Sequence, residues 1–91
     1  MRTTYDDTNL ADHKVSQDEV NEVLRSDVTI ERDLPPSKRG NERLMLVGFT
    51  NEGRLLELGI EFFHSEEIMH IFHADDATKQ YRTEFDREVK S

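Results

Sequence analysis

The sequence predicts a small α+β domain: an N-terminal helix or helices, an antiparallel β-meander of three to four strands, and a C-terminal helix. Three observations carry that expectation. Strand-like segments Arg43–Phe49 and Arg54–Phe63 flank Asn51-Glu52-Gly53, and a third, Ile68–Ala74, comes after a short polar loop. A helix-capping sequence stands before them at Ser16. After them Ala77, Tyr81, Phe85 and Val89 recur every four residues, the stripe of an amphipathic helix. With 91 residues, 1–91 is read as one domain.

In chain order, residues 1–15 carry turn and capping residues with little apolar content, with room for a short helix around Thr8–Asp12. Ser16-Gln17-Asp18-Glu19 is a capping box, and Val15 with Val20 suits the staple that fixes the chain's entry into the helix. Val20, Val23 and Leu24 share one face, and Arg25 in the last turn complements the helix dipole. Val28-Thr29-Ile30-Glu31 alternates apolar and polar, as a half-buried strand does. Pro35-Pro36-Ser37-Lys38-Arg39-Gly40-Asn41 reads as a loop.

In the meander, Gly53 suits the left-handed third position of a three-residue hairpin loop. With Thr50 and Arg54 flanking that loop, Arg43 falls opposite Glu61 and Val47 opposite Glu57. If Phe63 faces Ile68 across the loop His64-Ser65-Glu66-Glu67, then Glu61 faces His70. Asp75 or Asp76 is expected to cap a last helix running to about Lys90. One sheet face then carries Leu44, Leu46, Leu56, Leu58, Ile60, Phe62, Met69 and Ile71, and should receive the helices. The other mixes Met45, Val47, Phe49, Phe63 and Phe72 with Arg43, Glu57, Glu61 and His70, and is too apolar to stand bare in water.

Composition narrows the function classes. There is no cysteine, which excludes disulfides and Cys-ligated zinc. No secretory leader or membrane-length apolar run is seen, so a cytoplasmic protein without membrane association is expected. Twenty acidic residues against 12 basic ones leave a net charge of −8, which disfavours RNA unless a basic patch forms locally. Basic residues gather at Lys38-Arg39 with Arg43, and at Lys79, Arg82, Arg87 and Lys90, where acidic neighbours are interspersed.

The Arg43–Glu61–His70 row is the sharpest constellation. A carboxylate between a guanidinium and an imidazole orients a histidine for acid–base work; the plainer reading is a cross-strand charge ladder. His70 and His73, three apart on a strand, face opposite ways, so no shared metal site is expected. His64 with Glu66 or Glu67 could hold an ion only weakly, and His73 is expected in the core, bonded to backbone. No phosphate loop, nucleophile motif or cofactor signature is present, so no cofactor is expected.

Four stretches together resemble the BrnT-like toxin family, the RNA-cleaving members of type II toxin–antitoxin pairs. Tyr5-Asp6 stands where that family opens with an aromatic-Asp pair. His13-Lys14-Val15-Ser16 is similar to its Lys-His-Gly-Val-Ser stretch, and Arg54-Leu55-Leu56 after Gly53 to its Gly-Arg-Leu-Leu hairpin. His73-Ala74-Asp75-Asp76-Ala77-Thr78 stands at its Ser-Ala-Arg-x-Ala-Thr segment. The resemblance implies a RelE-like fold, helices on a small antiparallel sheet. It also implies RNA cleavage with His13, Arg54 and His70 as candidate catalytic residues and Arg82 as a substitute cation, and a cognate antitoxin or a homodimer as partner. The family's Ser-Ala-Arg arginine is Asp75 here, a charge reversal where arginine stabilises phosphoryl transfer. The alternative is therefore a non-catalytic interaction module, acting through the half-apolar face of Arg43, Glu57, Glu61, Phe63 and Phe72.

Overall fold

Strand pairing organises this chain, and the computed structural model describes it over residues 1–89. In order come β1 (Arg2–Tyr5), α1 (Asp7–Asp12), α2 (Gln17–Leu24), β2 (Thr29–Leu34), β3 (Arg43–Phe49), β4 (Leu55–Phe63), β5 (Ile68–Asp76) and α3 (Lys79–Val89). A single 3-10 turn, His64–Glu66, joins β4 to β5. The strands form one sheet ordered β1-β5-β4-β3-β2. The α+β class and the helix–meander–helix order stand. The sheet has five strands rather than three or four, because β1 adds to it in parallel on the outer edge of β5. That strand is only Arg2-Thr3-Thr4-Tyr5, too short and polar to give a periodic signal.

The inner strands keep the expected register. Arg43 lies opposite Glu61, Val47 opposite Glu57, Glu61 opposite His70 and Phe63 opposite Ile68. The β3–β4 loop is closed by Thr50 N–H to Arg54 O at 2.9 Å, with Gly53 at a φ of 87°. Past Ile60 the β4–β5 ladder slips by one residue: Ile60 pairs with Ile71 but Gly59 pairs with His73. Phe72 is the extra residue of a β-bulge, and Phe72 and His73 together oppose Gly59. A Cβ on Gly59 would lie 2.7 Å from the Phe72 ring and 3.1 Å from His73 Cβ, so any larger residue opposite the bulge must displace the ring.

Two cores lie on the two faces. On one, Leu46, Leu56, Leu58, Ile60, Ile71 and Ala74 pack against Leu10 of α1, Val15, and Val20 and Val23 of α2, with Leu44, Phe62 and Met69 at its margin. The capping box holds the start of α2, with Ser16 Oγ accepting from Glu19 N–H at 3.1 Å and Glu19 Oε1 from Ser16 N–H at 3.0 Å. The other face differs from expectation, because α3 lies there and not beside α1 and α2. Phe85, Ala77 and half-buried Tyr81 cover Ile30, Val47 and Leu55. Phe85 is 2% exposed, and burying a phenyl ring to that extent contributes about 2–3 kcal/mol. The sheet face that needed a partner finds one within the chain.

Neither Asp75 nor Asp76 opens α3, since β5 runs on through both. Thr78 precedes the helix, its carbonyl accepting from Arg82 N–H at 2.9 Å. The expected end at Lys90 lies outside the described residues. Among those described, no helix is long and apolar enough to cross a membrane.

Gly59→Ala should lower stability by about 1–2 kcal/mol, the cost of forcing a methyl into a filled site. Urea unfolding should recover part of that loss when Phe72→Leu is added, because the leucine vacates the ring's position. An unchanged midpoint for Gly59→Ala would contradict the bulge packing.

Candidate functional site

Two polar clusters contain the residues singled out by sequence, and they lie at different ends of β5. The first gathers where β5 leaves β1. There α1 takes over the strand's open edge: Asp6 N–H donates to Ile71 O at 2.9 Å, and Ala74 N–H donates to Asn9 Oδ1 at 2.9 Å. His13, directly after α1, places Nδ1 3.1 Å from Ala74 O and 3.3 Å from Asn9 Oδ1. Both oxygens only accept, which assigns the proton to Nδ1. Nε2 then faces the Asp75 carboxylate at 3.6 Å.

The bulge brings His73 to the same place from the other side. Its Nε2 lies 3.0 Å from Glu57 Oε2, and its ring meets His13 edge-to-face at 5.5 Å between centroids. His73 is thus half-buried on the α3 side and bonded to a carboxylate, a correction to its expected place in the helix-side core with a backbone partner. Glu57 is only 5% exposed. Its other oxygen accepts Thr78 N–H at 2.6 Å, which ties the start of α3 to the middle of β4.

Arg54 completes this end, and every nitrogen of its guanidinium is engaged. Nε donates to Asp76 Oδ1 at 2.7 Å; Nη1 donates to Lys14 O at 2.8 Å and reaches both Glu19 oxygens at 3.3 Å; Nη2 donates to His13 O at 3.2 Å. One side chain at the entry to β4 therefore ties that strand to the end of β5, the α1–α2 turn and the first turn of α2. Its hydrogen bond to Asp76, reinforced by Glu19, raises the Arg54 pKa against the opposing effect of burial. Reciprocally, the Arg54 hydrogen bond holds Asp76 below its usual range. Glu19 is lowered first by the Ser16 amide and further by Arg54.

At the far end, His70 stands about 15 Å along the strand from Asp75, at roughly 3.3 Å per residue. Its Nδ1 lies 2.7 Å from Thr4 Oγ1 on β1. It does not join His13 and Arg54, so the three candidate catalytic residues do not converge. The Arg43–Glu61–His70 row exists as a register but not as a bonded relay. Arg43 donates from Nε to Pro35 O at 2.8 Å and lies over Phe72, its Cζ 5.5 Å from the ring centre. Glu61, 6% exposed, instead accepts from Asn41 Nδ2 at 2.9 Å and faces Arg39 Nε at 3.6 Å. Burial pushes the Glu61 carboxyl up, but Asn41, Ser37 and Arg39 together outweigh it and lower the pKa. Arg39 in turn lies over Phe63 at 5.2 Å.

The face expected to be exposed is therefore largely covered. Glu57 and Glu61 are buried. Phe63 and Phe72 lie under arginines of the Pro35–Asn41 loop and its exit, and α3 covers the rest. His64, proposed beside Glu66 or Glu67, pairs with Glu42 at 3.1 Å instead. Arg82, the substitute cation, adds only a through-space effect on Asp76. Among the described residues no group of three or more His, Asp and Glu is arranged to hold a metal ion. The chain matches no protein-family model and no curated protein. Asn9, Thr4 and Arg39 are the participants that sequence did not single out. A short polar side chain four residues before His13 gave no periodic signal; Arg39 was visible only as part of a basic loop.

Three of the lowered carboxyls, Glu19, Glu61 and Asp76, belong to these clusters and contribute to the acid limit. Each has a folded pKa below its reference, 4.5 for Glu19 and Glu61 and 3.8 for Asp76. Their stabilisation is present above those reference values and is lost as pH falls through the lower folded ones. Circular dichroism should therefore record falling stability below about pH 4.5. Glu19→Gln and Asp76→Asn should each flatten that decline while costing stability at pH 7. A stability that rises on acidification would contradict this assignment.

Proposed function

We propose that the chain is a divergent member of the BrnT-like group that has kept the fold as a non-catalytic, cytoplasmic protein-binding module. The carrying observation is the engagement of all three guanidinium nitrogens of Arg54 by Asp76, Glu19 and two peptide oxygens. An arginine that stabilises phosphoryl transfer must direct donors at the phosphate as charge builds. Here such a step would require breaking the tie that joins four elements. His13, the other surviving family-type residue, faces Asp75 where the family carries its arginine. A phosphate approaching this end meets Glu19, Asp75 and Asp76 beside a cation already neutralised.

Support for the ancestry comes from one backbone angle. Lys14 has a φ of 55°, a conformation glycine adopts at least cost, and it stands where the BrnT-like stretch has its glycine. The nature of the partner is argued from charge. Asp7, Asp12, Asp18 and Glu52 are exposed on and beside the first two helices, within a chain of net charge −8. That field steers a basic partner and repels RNA. A small basic antitoxin encoded next to this chain fits it.

Two measurements decide between this reading and the ribonuclease. Induced expression of the soluble chain should leave growth and total RNA intact. Co-expression with the neighbouring gene's product should yield a stoichiometric complex whose affinity falls as salt rises. Growth arrest with RNA breakdown, abolished by His13→Asn, would sink the proposal in favour of catalysis. A self-associated dimer that ignores the neighbouring product would replace the antitoxin with a second copy of the chain.

A further inference from the structure

At the β1 end of β5, the buried carboxylate of Glu61 fixes the Pro35–Asn41 loop by accepting from Asn41, and it faces Nε of Arg39. That pairing holds the arginine, whose side chain is 69% exposed, against Phe63. Beyond Arg39 opens a notch of about 250 Å3 lined by Thr4, Arg39, Phe63, Ile68 and His70. Its floor is apolar, from Phe63 and Ile68. The His70 ring is oriented by Thr4 through Nδ1 and stands edge-on to Phe63 at 6.5 Å. Among the described residues, the terminal nitrogens of Arg39 and Nε2 of His70 make no hydrogen bond to protein. The Arg39 guanidinium thus borders an apolar floor beside His70 Nε2, which donates in the tautomer where Thr4 Oγ1 donates to Nδ1. The volume is below the 300–1,000 Å3 or so of pockets for drug-sized ligands, which limits the occupant to about one ring with a short substituent.

We propose that this notch binds a small planar ring carrying an anionic group, with the ring against Phe63 and Ile68 and the anion between Arg39 and His70. Guanidinium recognises carboxylate and phosphate alike through parallel N–H donors, so an aromatic carboxylate and a pyrimidine nucleotide share the chemistry the site selects. The notch lies apart from the Arg54 cluster and is independent of the protein-partner reading. Such a role also accounts for a buried, ionised glutamate in a thin sheet, since Glu61 preorganises the cation that meets the ligand.

Titration of 15N-labelled protein followed by NMR tests it. Benzoate and uridine 5′-monophosphate are the two ring-plus-anion probes; uridine supplies a ring alone and inorganic phosphate an anion alone. At least one of the first two should shift the amide resonances of Thr4, Phe63, Ile68 and His70 saturably below about 10 mM. The tighter of the pair identifies carboxylate or phosphate as the source. Uridine and phosphate should bind at least about tenfold more weakly, a difference near 1.4 kcal/mol. Arg39→Ala, its fold verified by the dispersion of its amide spectrum because it loses the Glu61 pairing, should weaken binding about tenfold or more, and Arg39→Lys by less, keeping charge without the flat fork. No saturable shift with either ring-anion probe would overturn the proposal, as would Arg39→Ala binding as tightly as the parent.

Discussion

One extra residue in β5 determines which way the charged side chains at the α1 end of this sheet point. Because Phe72 bulges out opposite Gly59, the alternation of β5 is reversed from His73 onward. Ala74 then turns into the core beside Leu58, and His73 turns to Glu57. Asp76 lands where Arg54 reaches it. An unbulged ladder would bury His73 among leucines and turn Asp76 to the face away from Arg54. Gly59 offers no side chain to Phe72 and His73, which leaves the Phe72 ring free to lie across it at the bulge. Packing and electrostatics are thus coupled through a single glycine.

The two ends of β5 consequently use charge in different ways. At the α1 end, cations and carboxylates neutralise one another and tie secondary structure together. Arg54 replaces direct contacts that a thin, highly charged chain cannot make by apolar burial alone. At the β1 end, the same kinds of side chain leave donors unused: Glu61 anchors Arg39, Thr4 orients His70, and both lie beside exposed parts of Phe63 and Ile68. Charge alone does not separate a structural cluster from a binding one. The disposition of donors does: each nitrogen of Arg54 is bound to a protein acceptor, whereas the terminal nitrogens of Arg39 are not.

Features that depend on local periodicity were legible in the sequence. The capping box at Ser16, the Gly53 hairpin, and the pairing of Arg43 with Glu61 and of Glu61 with His70 arise from patterns a few residues long. Patterns fail where a distant element decides. The polar tetrapeptide Arg2–Tyr5 becomes a strand only because β5 offers an edge. The face that receives α3 depends on the route of the chain through Ala77 and Thr78, which period-2 alternation does not encode. The bulge left no trace beyond a glycine in a strand, and it misdirected His73. Of the residues in the α1-end cluster, His13 and Arg54 were singled out from the sequence. Their true partners were not, because backbone carbonyls and side chains more than 20 residues away supply them.

Whether Arg54 is a structural tie rather than a catalytic cation is addressed most directly by a double-mutant cycle. Arg54→Ala, Asp76→Ala and the double variant would be compared by urea unfolding at low and moderate salt. A structural tie requires a coupling of about 0.5–1 kcal/mol between the two positions, reduced as salt rises. Additive effects, or an Arg54→Ala variant as stable as the parent, would contradict it and return Arg54 to the pool of residues available for chemistry.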